Sequence, residues 1–248
     1  WVYAAGGYYY PGKDLEGLQD EMKHYLDLGY SCVKMKVGGV PLAEDIARIE
    51  AVLKIVGDGQ RLAVDVNGKF DLPTAIGLCK AIEPSDPMWF EDPLPFTYSD
   101  AWRELRRSTK VPILTGEKVE MVSGFKPYLD NGVVDILHPD PAFSGGITGC
   151  RKIADYAALT RVPVALHIGP ASMIRFFAGA HIGGAIQNFF KMENLIGDYR
   201  GFKEKMAAGP TPQIRKGLFA LPEGPGLGLT INPDWIKEHT AKGEPSWS

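Results

Sequence analysis

The chain has 248 residues, of which 45% are hydrophobic, and its 27 basic and 30 acidic residues leave a net charge of −3. This length and composition fit one large globular domain or two small ones. The near-balanced charge without a basic stripe argues against nucleic acid or an anionic membrane surface as a partner. The sequence also has no apolar run close to the roughly 18 residues that a membrane span requires.

Strand-like runs alternate with helix-like patterns from the start of the chain. The predicted strands cover residues 1–5, 30–37, 61–67, 88–92, 111–117, 133–140, 162–167 and 189–193. The predicted helices between them cover residues 14–28, 41–57, 72–83, 98–108, 120–129, 148–160 and 171–186. Repeated βα units predict parallel strands, and eight strands in this order predict a closed α/β barrel of the (β/α)8 type. An open doubly wound sheet is the alternative, but its Gly-rich first turn is missing.

The alternating pattern of strands and helices weakens after Glu193. The tail, residues 196–248, is rich in Pro and Gly and predicts loops with short strands. We predict no helix in this tail to complete the barrel. Residues 1–195 are therefore expected to form a modified (β/α)7β barrel. Since the chain opens on a strand without an initiator Met, we expect further residues upstream, against which the tail also packs.

Three cysteines, Cys32, Cys79 and Cys150, are odd in number and widely spaced. Without a CxxC pair or metal-type spacing, they predict buried thiols in a reducing compartment. We therefore expect a cytoplasmic protein.

Charged side chains recur at the ends of the predicted strands, at intervals between 23 residues (Glu117 to Asp140) and 29 residues (Lys36 to Asp65). A barrel gathers the carboxyl ends of its strands around one mouth, where barrel active sites lie. We therefore expect seven titratable groups to converge there: Lys36, Asp65, Glu91, Glu117, Asp140, His167 and Glu193.

Three of these groups, Asp65, Glu91 and Glu117, end successive strands. Adjacent carboxylates repel one another unless a cation lies between them, and an all-oxygen set suits Mg²⁺, with Mn²⁺ second. The sequence therefore predicts a metal site. Helix capping or ion pairs with lysines is the alternative.

Two lysines, Lys34 and Lys36, lie two residues apart in a strand and so face the same side. We predict that their mutual repulsion and partial burial lower the pKa of one of them, which would make it a general base near neutral pH. In the alternative interpretation both side chains extend to solvent.

Asp140 and His167 end the sixth and seventh predicted strands and are expected to touch. A carboxylate on one imidazole nitrogen makes the other nitrogen more basic, which predicts a second base opposite the lysines. A purely structural pair is the alternative. His138 lies two residues before Asp140 and is a predicted substrate contact. We expect the other three histidines to be structural: His24, His181 and His239.

Taken together, these motifs resemble the enolase superfamily, and within it the mandelate racemase subgroup of acid-sugar and tartrate dehydratases. The resemblance covers residues 1 to 230 and rests on seven motifs in order: VKMK, VDVN, WFEDP, LTGE, HPDPAFSGGITG, ALH and KMEN. It implies an N-terminal α+β capping domain, which we expect to lie upstream of the first barrel strand. Lys118 departs from the pattern, because related proteins often carry Asn there.

The resemblance implies Mg²⁺-assisted abstraction of a proton α to a carboxylate, with the enediolate stabilised by the metal. By carry-over, Lys36 is the base on one face, and Lys34 tunes it and contacts the substrate carboxylate. His167, supported by Asp140, is acid or base on the other face. Glu193 would hydrogen-bond the carboxylate, and Asn67 is a further predicted substrate contact.

Two opposed bases permit dehydration or racemisation. We favour a Mg²⁺-dependent lyase that dehydrates an acid sugar, with a racemase or epimerase of a 2-hydroxy acid as the alternative. A Schiff-base aldolase or a catalytically silent barrel is less consistent with three clustered carboxylates. We expect a small hydroxy-carboxylate as the substrate and a homo-oligomer as the assembly.

Overall fold

Eight parallel strands close into a barrel in the computed structural model, which describes residues 1–169, 173–196, 205–208 and 212–243. Each strand pairs with its neighbours in chain order, and the last strand closes the ring on the first, with Val2 opposite Met192. The strands are β1 (Val2–Gly6), β2 (Val33–Lys36), β3 (Leu62–Asp65), β4 (Trp89–Glu91), β5 (Ile113–Thr115), β6 (Ile136–Leu137), β7 (Val164–Leu166) and β8 (Phe189–Leu195). The predicted barrel is confirmed, and the open sheet is excluded.

Seven helices follow β1 to β7 and surround the barrel. They are α1 (Leu15–Asp27), α2 (Leu42–Val56), α3 (Leu72–Ile82), α4 (Asp100–Ser108), α5 (Met121–Asp130), α6 (Gly146–Leu159) and α7 (Met173–Ala185). Local signals define their ends: the Asp14 and Asp71 side chains cap α1 and α3, and Gly57 ends α2 at φ 73°. The predicted start of α7 at residues 171–172 lies outside the described residues.

The core has two layers because strand side chains alternate between the two faces of the sheet. Val2 and Ala4 of β1 belong to a large apolar cluster that includes helix residues such as Leu18, whereas Tyr3 and Ala5 belong to a second cluster. The second cluster fills the barrel interior: Tyr3, Ala5, Cys32, Ala63, Met88, Trp89, Leu114, Ile136, Ala165 and Leu195. All three cysteines are free and buried, as predicted.

Several strands are shorter than their sequence patterns predicted. β6 covers only two residues and pairs with β7 at a single position, Leu137 opposite Val164. Pro139 and Pro141 explain this early end, because proline has no N–H to donate to a ladder. Asp140 therefore lies in a loop over the barrel mouth rather than at a strand end.

The described part of the tail forms two short antiparallel strands and a helix. β9 (Ala207–Ala208) pairs with β10 (Thr230–Ile231), and α8 (Pro233–His239) follows, capped by the Asn232 side chain. Sequence reasoning missed α8 itself, whereas the prediction that the tail adds no helix to complete the barrel holds for the described residues. An Asn cap followed by Pro at the first helical position is an N-terminal signal that was available in the sequence. Because α8 follows β10, it does not serve as an eighth crossover helix of the barrel.

The tail also contacts the barrel. The N–H of Val2 donates to the carbonyl of Gly217 at 2.7 Å, and the Phe219 ring packs edge-on against Phe176, with centroids 5.1 Å apart. The proposed division into domains at residues 195 and 196 stays a prediction. In the described ranges, every helix falls short of the length or the apolar character that crossing a bilayer demands.

Candidate active site

Three buried carboxylates meet at the carboxyl-end mouth of the barrel. Asp65 and Glu91 are the last residues of β3 and β4 and lie opposite each other in the ladder, and Glu117 follows β5 in a loop. One oxygen from each lies within 4.8 Å of the others. The strand order thus places three like charges around one point, as the sequence predicted.

Neutral donors orient this carboxylate triad. The indole Nε1 of Trp89 donates to Glu91 at 3.0 Å, the backbone N–H of Asn67 donates to Asp65 at 2.8 Å, and the Asn67 amide donates to Glu117 at 2.6 Å. Asn67 has a left-handed backbone, φ 53°, which Asn adopts more readily than most residues. Asn67 therefore joins two of the three carboxylates, a contact that sequence reasoning did not anticipate.

The two lysines of β2 face the same side, as predicted, but lie at different depths. Lys34 is buried, and its Nζ lies 2.5 Å from Glu91 Oε1, 2.8 Å from Glu193 Oε1 and 3.3 Å from Asp65 Oδ2. Lys36 Nζ lies 2.5 Å from Asp65 Oδ2, and its side chain is 17% exposed. Lys34 thus neutralises the carboxylates from below, and only Lys36 reaches the cavity.

The predicted lowering of one lysine pKa is wrong. Burial does act to lower the pKa of both ammonium groups, but the carboxylates outweigh it. Glu193 and Glu91 raise the pKa of Lys34 well above its usual value, and Asp65 does the same for Lys36 although Lys34 opposes it. In return, Lys36 and Lys34 outweigh burial and lower the pKa of Asp65. The protein side chains alone therefore keep both lysines charged.

His167 lies between carboxylates on the other side of the mouth. Its Nδ1 is hydrogen-bonded to Asp140 Oδ2, and its Nε2 lies 3.1 Å from Glu117 Oε2 and 3.3 Å from Glu193 Oε2. Burial acts to lower the pKa of His167, but Glu193 and Glu117 outweigh it, so that the pKa is raised. The predicted Asp140–His167 contact is thus present.

Arg175 of α7 completes this pair and was missed in the sequence. Its Nε donates to Asp140 Oδ1 at 2.8 Å, and its Nη2 contacts Oδ2 of the same carboxylate. The only signal was an Arg within the apolar start of a helix that follows the seventh strand. Such a residue must find a partner near the barrel mouth.

His138 and Glu193 lie deeper in the site. His138 is fully buried, with Nδ1 2.9 Å from the carbonyl oxygen of Ala165 and Nε2 3.5 Å from Glu91 Oε1. Glu193 accepts the N–H of Ile168 at 3.1 Å through Oε2. His138 therefore lies beneath the triad and does not line the cavity, which does not support its prediction as a substrate contact, whereas Glu193 also lines the cavity.

An open cavity of about 390 Å³ lies above these groups. Lys36 and His167 both line it, together with Glu117, Glu193 and Asn67. Further lining residues are Tyr8, Tyr9, Val37, Val66, Lys69, Lys118, Phe143, Gly169, Arg175 and Leu195. The cavity is large enough for a small polar organic acid.

The carboxylate triad fits a hard divalent cation. Its donors are all oxygens, their ligand atoms converge, and all three side chains are buried. Lys36 and Lys34 outweigh burial and lower the pKa of Asp65. Asp65, Glu91 and Glu117 are the residues that would hold Mg²⁺.

Together, the closed parallel barrel, the convergent carboxylates and the two basic side chains at the carboxyl-end mouth define an α/β barrel with an enzyme-like site that could hold a metal ion. More narrowly, the chain belongs to the enolase superfamily, because residues 17–235 match the family described as "Enolase C-terminal domain-like".

Curated relatives include acid-sugar dehydratases. The chain is 30% identical over 97% of its length to the arabinonate dehydratase of Saccharolobus solfataricus, of which it spans 64%. It is 36% identical over 79% of its length to the D-xylonate dehydratase of Haloferax volcanii, of which it spans 47%. The chain thus covers less than two thirds of each of these relatives.

Solved structures share the fold. A mandelate racemase/muconate lactonizing enzyme-like protein from Rubrobacter xylanophilus superposes with a TM-score of 0.87 at 29% identity, over 100% of this chain and 70% of that one. The predicted resemblance to the mandelate racemase subgroup is confirmed at the level of fold and family.

Proposed function

We propose that this chain is the barrel of a Mg²⁺-dependent acid-sugar dehydratase, a lyase that removes the proton α to a carboxylate and eliminates a β-hydroxyl as water. The observation that carries the proposal is the placement of Lys36 and His167, which line one cavity beside the buried carboxylate triad. The names of the dehydratase relatives support the substrate class.

Lys36 is the proposed base. Its side chain reaches the cavity from β2, whereas Lys34 below it is enclosed by three carboxylates. When bound at the triad, Mg²⁺ supplies positive charge that offsets the pull of Asp65 on the Lys36 proton and stabilises the anion formed as the α-proton leaves. With that charge present Lys36 would be the neutral amine, which accepts the α-proton at Nζ and becomes the ammonium, while Lys34 remains a fixed cation.

His167 is the proposed acid for the leaving hydroxyl. Asp140 holds Nδ1 in its protonated form, so that proton exchange with substrate takes place at Nε2. The neighbouring carboxylates raise the pKa of His167, which favours the imidazolium that an acid requires. Glu193 and Asn67 border the same cavity and are proposed to position the substrate.

A racemase or epimerase of a 2-hydroxy acid is the second candidate. The same pair of basic side chains favours it, because racemisation requires a proton acceptor on each face of the α-carbon. The two candidates differ in whether the β-hydroxyl leaves.

A screen of acid sugars with Mg²⁺ and the full-length protein tests the proposal. Formation of 2-keto products identifies a dehydratase, whereas solvent deuterium at the α-carbon with inversion and no keto product identifies a racemase. If protein that is shown to bind Mg²⁺ catalyses neither reaction on any aldonate or aldarate, both candidates are contradicted. A cytoplasmic location and a homo-oligomeric state stay predictions.

A further inference from the structure

The imidazoles of His138 and His167 each have Nδ1 held by an oxygen acceptor, although the proposed reaction uses only His167. The Nδ1 of His167 is hydrogen-bonded to the Asp140 carboxylate, and the Nδ1 of His138 lies 2.9 Å from the carbonyl oxygen of Ala165. Both partners are acceptors, so each Nδ1 carries a proton, and Nε2 of each ring can offer its lone pair to a cation that displaces any proton there. This arrangement, with Nδ1 anchored by an oxygen, is typical of metal-binding histidines.

The two Nε2 atoms face the same region as a carboxylate. One ring nitrogen of His138, one ring nitrogen of His167 and a carboxylate oxygen of Glu193 all lie within 4.8 Å of one another. Since Nδ1 of each ring is held by its own acceptor, Nε2 is the nitrogen that each histidine has available. The two rings are 5.1 Å apart between centroids, at 70° to each other, and Glu193 Oε2 is 3.3 Å from His167 Nε2. The group is distinct from the carboxylate triad, with which it shares no residue.

His138 is the second, independent indication. Its side chain is fully buried, and within the described ranges its Nε2 has no hydrogen-bond partner. The nearest charged atom is Glu91 Oε1, 3.5 Å away, which is itself an acceptor. A buried lone pair directed at a carboxylate is unfavourable unless a cation or a proton lies nearby.

We propose that His138, His167 and Glu193 form a second metal site that takes a borderline divalent cation such as Zn²⁺. Two imidazole nitrogens and one carboxylate oxygen match the ligands that zinc and related transition metals prefer, whereas Mg²⁺ prefers the all-oxygen triad. The two clusters are adjacent: Glu117 Oε2 of the triad lies 3.1 Å from His167 Nε2, and Lys34 contacts both Glu91 and Glu193.

Occupation of this site would inhibit turnover. A cation on His167 Nε2 takes the lone pair that the proposed reaction uses for proton exchange. The inhibition rests on the proposed function, but binding of Zn²⁺ does not, so the two are tested separately.

Calorimetric titration of Zn²⁺ into the full-length protein, in excess Mg²⁺, tests the site directly. We expect one Zn²⁺ per chain in the wild type. In His138→Gln, the affinity for Zn²⁺ should fall by at least roughly 10- to 100-fold. Removing a residue that only supports a metal ligand has that effect, and His138 is proposed as a ligand itself. His24→Gln, in an exposed histidine of α1, is the matched control and should bind like the wild type.

The position of the ion provides a second measurement, which needs no variant to fold. Anomalous diffraction at the zinc edge from wild-type crystals should give a peak between the two Nε2 atoms. A peak only among Asp65, Glu91 and Glu117, or equal Zn²⁺ affinity in the wild type and a folded His138→Gln, would overturn the proposal. Zn²⁺ bound at the imidazoles in a protein that turns over no acid sugar would refute the proposed function alone.

Discussion

Arg175 and His167 bind the same buried carboxylate, that of Asp140, and Arg175 contacts both of its oxygens. Arg175 Nε donates to Asp140 Oδ1 at 2.8 Å, while Oδ2 is hydrogen-bonded to His167 Nδ1. The Ala142 N–H also donates to Oδ1, at 2.7 Å. The orientation of the imidazole therefore depends on a helix residue, because Asp140 lies in a loop without the support of a ladder.

Arg175 is predicted to act as a positioning residue for His167. Arg175→Met should lower kcat by about 10- to 100-fold, the usual effect of removing a partner behind a functional histidine. Arg151→Met, which breaks an exposed pair with Asp155 on α6, is the control and should leave kcat unchanged. Equal kcat values in both variants would show that Asp140 holds the ring without help.

Lys36 and His167 are predicted to be the two proton-transfer groups. Lys36→Met and His167→Asn should each lower turnover of an acid sugar by at least about 10²- to 10⁴-fold, the contribution typical of a positioned acid or base. Circular dichroism should show the fold retained in both. Wild-type turnover in either folded variant would remove that residue from the mechanism.

Mg²⁺ is predicted to stabilise the protein through the carboxylate triad. At a Mg²⁺ concentration about 100 times Kd, the free energy of unfolding should rise by about 2.7 kcal/mol. The melting temperature should therefore increase with Mg²⁺ and fall again with EDTA. In Asp65→Asn the increase should be lost, and an equal increase in this variant would place the ion elsewhere.

Lys34 is predicted to be essential for stability as well as for the site. Lys34→Met leaves Glu91 and Glu193 buried without their cation, which should lower the free energy of unfolding by about 3–5 kcal/mol. Urea denaturation measures this. Lys23→Met, in an exposed pair on α1, should change stability by less than about 0.5 kcal/mol. A similarly small change in Lys34→Met would mean that the carboxylates take up protons instead.

A glycine of α6 is predicted to support the Asp140 loop. A Cβ on Gly149 would lie 2.0 Å from the carbonyl oxygen of Ser144, and Ser144 N–H donates to the Asp140 carbonyl at 2.7 Å. Gly149→Ala should cost about 1–3 kcal/mol of stability and lower turnover, as expected for overpacking.

The matched substitution is Gly77→Ala in α3, where the nearest atom to the new Cβ is Leu42 Cδ2 at 3.5 Å. It should be neutral or stabilise by up to about 1 kcal/mol, since Ala favours helices over Gly. Thermal unfolding of both variants measures the difference. If both behave alike, the Ser144 contact does not constrain the loop.

Much of the site followed from the periodicity of the sequence. The barrel repeats one βα unit, so residues at the same phase of each unit reach the same mouth, and this placed Asp65, Glu91 and Glu117 together. Contacts between units were harder to predict. Helix residues such as Arg175 and turn residues such as Asn67 do not recur at the same position in each βα unit, so the repeat does not place them at the mouth. The bounds of β6 depended on the prolines beside Asp140.

The sequence by itself determined the order of strands, the face on which Lys34 and Lys36 lie and the identity of the metal-type carboxylates, because these depend only on local alternation and spacing. Only the tertiary structure decided the charge state of the lysines. Lys34 lies within 3.3 Å of carboxylates from β3, β4 and β8. At such distances in a buried site, attraction to these anions outweighs desolvation, so that the pKa of Lys34 rises rather than falls. Asp65 likewise raises the pKa of Lys36 against desolvation and repulsion from Lys34.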